Sequence, residues 1–260
     1  MDITSEIEEL NQDIKIVNLT SNIKKPKYSL YKMNVPEDDT NIKFNTDITS
    51  IVVINGELEI SLVKEKANIY KKFQGIHVLD PDKLLTIKGS TDCVILIGST
   101  SDLKIDTETT LNRDYVEINL IDFSSYKVNK PWGFEIWFTE NIDNFPYALK
   151  NIHMEKDFQS SLQSHKFKSE TNVVVHGEAK VLYGKDAPED ISESIDINSL
   201  EEKIYKPMDG WSNKVNELHR VIAHTTYDAI EISTPELDDV IRWADDSDRE
   251  SGKIDSEHND

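Results

Sequence analysis

The sequence predicts an all-β protein built as two tandem β-sandwich or barrel domains with few short helices, and three observations carry that expectation. The apolar segments are short and β-branched, as in "SIVVI", "ELEISLV", "CVILIG", "TNVVV" and "DAIEIS". Turn signals such as Asn55-Gly56, Lys88-Gly89 and His176-Gly177 separate them, and many short strands punctuated in this way are the pattern of a sandwich or barrel. The chain also repeats itself. "VVINGELEI" (52–60) matches "VVVHGEAKV" (173–181) with both glycines in register at an offset of 121, and "DCVILIGST" (92–100) is similar to "DAIEIST" (228–234). Two matches in the same order point to two copies of one β-domain.

In chain order, residues 4–14 have the spacing of one amphipathic helix, and the strands of the first copy follow to about residue 104. The boundary between the copies is expected near 104–125, around "KIDTETTLNRD". The second copy is interrupted by "KDAPEDISESIDINSLEEK" (185–203), an acidic insertion that reads as a lid or a surface loop. Within it "NSLEEKI" (198–204) suggests a short helix capped by Ser199. The last stretch is almost free of apolar residues and predicts a disordered acidic tail over 250–260.

A formal net charge of −20 argues against a sequence-independent grip on nucleic acid and against docking on an anionic membrane. Small ligands, metal cations and protein partners remain. The lone Cys93 lies inside an apolar run, which excludes an intramolecular disulfide and suggests a buried structural thiol. The acidic N-terminus lacks the basic-then-apolar layout of a signal peptide, and no apolar run approaches the roughly 18 residues of a membrane span. A cytoplasmic protein is expected.

The residues that carry chemistry sit in "SLQSHKFKSETNVVVHGEAKVLYG" (161–184). Side chains two apart on a strand share a face, so Gln163, His165 and Phe167 point the same way if the segment is extended. Glu170 follows near the same mouth, and "NELHRVIAH" offers His219 from far along the chain. Two imidazoles and a carboxylate, with or without an amide oxygen, suit Zn, Mn, Fe or Ni. His176 and His224 read as surface or half-buried residues, and His153 as a satisfied core histidine or a barrel-lining one.

This stretch resembles the first motif of the cupins, in which a His-x-His run, a Glu and a later Gly form one edge of a jelly-roll barrel. Pro207 and His219 resemble the second motif, with a longer spacer, "MDGWSNKVNEL", between them. A closer resemblance is to the cupin domain of type II mannose-6-phosphate isomerases and their fusions to mannose-1-phosphate guanylyltransferases. It rests on "KPWGFEIW" (130–137), "SLQSH" (161–165), Lys168 with Glu170, "LHR" (218–220) and "DDVIRWADDSDR" (238–249). The resemblance implies a bicupin: a degenerate N-terminal cupin domain at 1–115, a C-terminal one at 116–249 and the tail. It implies a divalent metal ion on His165, Glu170 and His219, with Gln163 as a further ligand. Lys168, Arg242, Arg249 and Trp132 are then the substrate-binding candidates, although each arginine has an alternative in salt bridges with Asp238, Asp239, Asp245 and Asp246. Arg220 would point away from the site.

Phe167 stands where most cupins have a second histidine, so the ligand set is altered or the metal is lost. In the first copy the offset places Ile42, Phe44 and Thr49 opposite Gln163, His165 and Glu170, and Thr86, five residues after Pro81, at the place of the later histidine. That copy is expected to be structural or to serve a homodimer. Three functions follow: a metal-dependent isomerase or epimerase acting on a sugar phosphate or nucleotide sugar in polysaccharide or glycan precursor biosynthesis; a non-catalytic sugar-binding or assembly cupin; and, with less support, a cupin dioxygenase. The sequence does not single out the catalytic proton carrier.

Overall fold

The computed structural model describes residues 2–3, 5–9, 14–23, 27–61, 67–79, 84–100, 103–107, 119–139, 142, 144–236 and 238–258. The chain divides into two compact units, one formed by residues 4–123 and the other by 1–3 with 124–260. Pro81 and much of the expected boundary, 108–118, lie outside the described residues.

The N-terminal unit contains β1 (Glu6–Glu9), β2 (Lys15–Asn18), β3 (Ser29–Asn34), β4 (Thr40–Phe44), β5 (Thr49–Asn55), β6 (Leu58–Ser61), β7 (Asn68–Tyr70), β8 (Gly75–Val78), β9 (Leu84–Gly89), β10 (Val94–Ser99), β11 (Ile105–Thr107) and β12 (Leu120–Asp122). They form one sheet in the order β1-β2-β3-β10-β5-β8-β12 and a second in the order β11-β4-β9-β6-β7. The C-terminal unit contains β13 (Tyr126–Lys130), β14 (Gly133–Trp137), β15 (Ala148–Met154), β16 (Leu162–Ser164), β17 (Glu170–His176), β18 (Ala179–Gly184), β19 (Glu201–Tyr205), β20 (Gly210–Asn213), β21 (Leu218–Ala223), β22 (Tyr227–Ser233) and β23 (Ile241–Ala244). Its sheets run β13-β14-β15-β22-β17-β20 and β19-β18-β21-β16-β23.

Nine strands of each unit follow the same order. β3-β10-β5-β8 in one is β15-β22-β17-β20 in the other, and β11-β4-β9-β6-β7 is β23-β16-β21-β18-β19. β5 and β17 keep the offset of 121. So do the turns that follow them, where Gly56 and Gly177 both adopt φ of +73°. A side chain at Gly177 would also meet the Thr226 carbonyl at 2.2 Å, so only glycine fits this turn. The duplication legible in sequence is therefore a duplication of topology.

Local expectations were less accurate. The helix expected over 4–14 is absent from its described part, where β1 pairs with β2; backbone pairing at a sheet edge overrides the weak helical spacing. The helix expected at 198–204 shrinks to a 3-10 turn, Ile197–Ser199, capped by Asp196 rather than Ser199. The chain then enters β19, paired with β18. Residues 250–258 are not a loose tail. Glu257 accepts a hydrogen bond from Lys130 (2.7 Å) and pairs with Arg249 (3.1 Å), and the Tyr126 hydroxyl donates to the His258 carbonyl. Composition suggested disorder because the segment offers few apolar groups, but half-buried ion pairs and hydrogen bonds hold it instead. Among the described residues no helix is long and apolar enough to cross a membrane.

Candidate metal centre

In the C-terminal unit both sheets contribute to one cavity of about 120 Å³. The strands β16 and β21 place Gln163 directly opposite His219. The first residue of β17 is Glu170, paired with Asn213 of β20. β16 ends at Ser164, and the chain turns through 165–169 before β17, bringing His165 into the same space.

The donor atoms of His165, Glu170 and His219 all lie within 4.8 Å of one another, and all three residues are buried. His165 donates from Nδ1 to the Asp239 carbonyl, so a neutral ring carries its lone pair on Nε2. That Nε2 is buried without a hydrogen-bond partner, 3.7 Å from Glu170 Oε2. Burial, reinforced by the Lys168 ammonium, pushes the His165 pKa down to about 3, which keeps the imidazole neutral as a ligand must be. His219 turns Nδ1 to the Glu217 carbonyl (3.3 Å) and Nε2 to Glu170 Oε1 (3.2 Å). A neutral ring with its hydrogen on Nδ1 sets a lone pair against a carboxylate there, an arrangement that a cation between them would satisfy. Burial opposes ionisation of Glu170, but the Lys168 ammonium beside it outweighs burial and holds its pKa well below the usual carboxylate range.

Gln163 donates from Nε2 to His219 Nε2 (3.1 Å) and accepts from the Ser161 hydroxyl (2.8 Å). A hydroxyl accepts as readily as it donates, so half a turn of the amide would present Oε1 to the centre while keeping Ser161 as partner. The residues present fit a divalent ion with three firm donors and a fourth that can be turned in.

Lys168 is buried, donating to Glu170 Oε2 (2.6 Å) and Glu231 Oε1 (2.9 Å). Trp132, Arg242 and Arg249 also line the cavity. Arg249 grips Asp245 (2.7 Å) as well as Glu257, while Arg242 bonds the carbonyls of Glu250 and Gly252 (2.8 Å to the latter). Both arginines therefore face the cavity from within ion pairs or carbonyl bonds that fix them. Arg220 donates to the Ala244 carbonyl (2.8 Å), outside the cavity lining, as strand alternation implies. His153 pairs with Asp228 (2.8 Å) and stacks on Phe134, and His176 and His224 are exposed.

Phe167 is 67% exposed. The extended geometry that would have aimed it inward stops at Ser164, so it neither blocks nor replaces a ligand. Nothing from 185–203 is among the described residues lining the cavity, so the insertion forms no part of its wall. The residues 252–254 and 258 do line it.

A ladder of buried charges escaped the sequence reading. Lys150 bridges Glu135 (2.9 Å) and Glu231 (3.4 Å), and Lys130 lies 3.8 Å from Glu135. Burial pushes the Glu135 carboxyl up, yet Lys150 and Lys130 overcome it and hold the pKa at about 2. The signal was available in the strand period. Lys150 alternates with Ala148, Ile152 and Met154, and Glu231 with Tyr227 and Ala229, charges set on otherwise apolar faces.

In the N-terminal unit Ile42 and Phe44 are packed in the core. Register puts Leu85, not Thr86, opposite Ile42, as His219 stands opposite Gln163. Thr86 instead donates to Asn41 (2.7 Å). The sequence count missed by one residue because the spacers before the two strands differ in length.

No known protein family matches the sequence, and no curated protein sequence matches it. Solved structures do. Procruciferin, the 11S globulin of Brassica napus, aligns with a TM-score of 0.61 over 90% of this chain and 83% of its own, at 9% identity. AerE from Microcystis aeruginosa aligns at 0.60 over 90% and 99%, at 9% identity. A Bacillus subtilis oxalate decarboxylase, whose Mn(II) centres are the subject of that structure, aligns at 0.61 over 88% and 74%, at 11% identity. The chain has the tandem cupin fold. At these identities the likeness carries the fold alone, and the chemistry must come from the site.

Proposed function

We propose that the C-terminal unit is a metal-dependent cupin centre that acts on a sugar phosphate or nucleotide sugar as an isomerase or epimerase. The observation that carries the metal is the buried, partnerless Nε2 of His165 facing Glu170 and His219. A divalent ion there would polarise carbonyl and hydroxyl oxygens of a bound sugar. Lys168, held as an ammonium by Glu170 and Glu231, keeps a third N–H that could donate to a sugar oxygen, and the arginines on the wall offer forks that match a phosphate. Which of Zn, Mn, Fe or Ni is used follows from supply as much as from these N and O donors. A cytoplasmic setting, compatible with the free buried Cys93, belongs to the same proposal. So does a homodimer formed through the N-terminal unit, whose core holds apolar residues at the positions of the ligands.

The cavity volume favours weighing a second reading. Small-molecule pockets usually measure about 300–1,000 Å³, so a sugar phosphate would enter only if the 252–258 wall moves aside. A cupin that only binds sugar or assists assembly would not need the metal. Thermal-shift measurements with sugar phosphates separate the two. Stabilisation of the metal-loaded protein that disappears in chelator supports the enzyme, and stabilisation that persists in chelator replaces it with the binding module.

A further inference from the structure

The turn that carries His165 is tied to one residue far downstream. Asp239, in the segment leading to β23, accepts hydrogen bonds on its carboxylate from three consecutive backbone N–H groups, those of Lys166 (3.0 Å), Phe167 and Lys168 (2.8 Å). Its own carbonyl accepts the Nδ1 hydrogen of His165. Successive amides aimed at one anion form a nest, and bonds to an ionised acceptor are roughly twice as strong as neutral ones. The residues 165–168 belong to neither β16 nor β17, so ladder pairing does not fix them. Among the described residues one other backbone bond from a distant element reaches this stretch, Asn216 N–H to the His165 carbonyl (2.7 Å). At its two ends sit a candidate ligand, His165, and the buried partner of another, Lys168.

We infer that Asp239 is a positioning residue for the metal centre. By holding the turn through four bonds it keeps the hydrogen of His165 on Nδ1 and turns the Nε2 lone pair toward Glu170. The part concerning affinity rests on the metal reading above; the part concerning the imidazole rests on geometry alone. Partners that orient a ligating histidine are worth about ten- to hundredfold in metal affinity. A merely structural Asp239 would change stability and leave the imidazole as it is.

The test uses the full chain as wild type, Asp239→Ala and Asp239→Asn. Nitrogen-15 NMR of the metal-free protein, with His165 assigned by comparison with His165→Gln, reports the tautomer, and zinc titration reports affinity. Wild type should show the Nδ1–H form. Asp239→Ala removes the three carboxylate bonds and keeps the carbonyl; with the turn released from that carbonyl it should mix tautomers and weaken zinc binding about ten- to hundredfold. Asp239→Asn keeps one oxygen for the turn and should lose less. If the alanine variant fails to fold, the asparagine variant carries the comparison. Wild-type tautomer and wild-type affinity in the folded variants overturn the inference. If wild type takes up no zinc, the metal reading fails, while the tautomer difference still decides the role of Asp239.

Discussion

Replacing Lys168 with Met probes the coupling between the buried charges and the metal. The Lys168 ammonium sits 2.6 Å from Glu170 and 2.9 Å from Glu231, with both carboxylates buried. Removing one partner of a buried pair costs about 3–5 kcal/mol. The loss should fall near the lower end, about 3 kcal/mol, because Glu231 keeps Lys150 at 3.4 Å and Glu170 keeps the Asn213 amide at 2.9 Å. In a domain of this size that lowers Tm by roughly 6–12 °C. The metal-loaded protein should behave differently, since an ion held by Glu170 supplies the positive charge that the variant lacks. The gap between wild type and Lys168→Met should then shrink to about 1 kcal/mol, within the range left by weak or screened pairs. Urea unfolding of both proteins, in chelator and in saturating zinc, measures the two gaps. Equal gaps would refute the reasoning, because Glu170 would then not be sharing its charge with an ion.

Two further predictions follow from the same geometry. His165 has a folded pKa of about 3 against 6.5 for a free imidazole, so its contribution to stability is complete above about 6.5 and is lost as pH falls toward 3. Between pH 7 and pH 5 the stability difference between metal-free wild type and His165→Gln should shrink by about 2 kcal/mol in urea titrations; an unchanged difference would show the imidazole titrating normally. Phe167→Ala should shift unfolding free energy by no more than about 0.5 kcal/mol and leave zinc affinity unchanged, since the ring points to solvent. A loss of binding would mean that the ring helps to shape the site.

Much of the fold was legible because it rests on short-range signals. Period-two apolar segments and glycine turns located the strands, and the repeat around Gly56 and Gly177 revealed the doubled topology. His165, Glu170 and His219 were singled out by residue type, strand spacing and the resemblance, and the structure brings them together, with Gln163 set opposite His219 across β16 and β21. What stayed hidden depends on long-range pairing. Phe167 could not be aimed without knowing that β16 stops at Ser164, and that stop is accompanied by bonds from Asp239, far along the chain. The place of Leu85 depended on the length of a spacer, which strand periodicity does not measure. The packing of 250–258 depended on Lys130, Tyr126 and Arg249 all facing it, a complementarity invisible in composition.

The proposed centre would hold one divalent ion at His165, Glu170 and His219. Elemental analysis after loading with zinc or manganese and dialysis tests it most directly, comparing wild type with the double variant His165→Ala, His219→Ala. Wild type should hold one ion per chain and the folded double variant none. The same stoichiometry in both, or no ion in wild type, would contradict it.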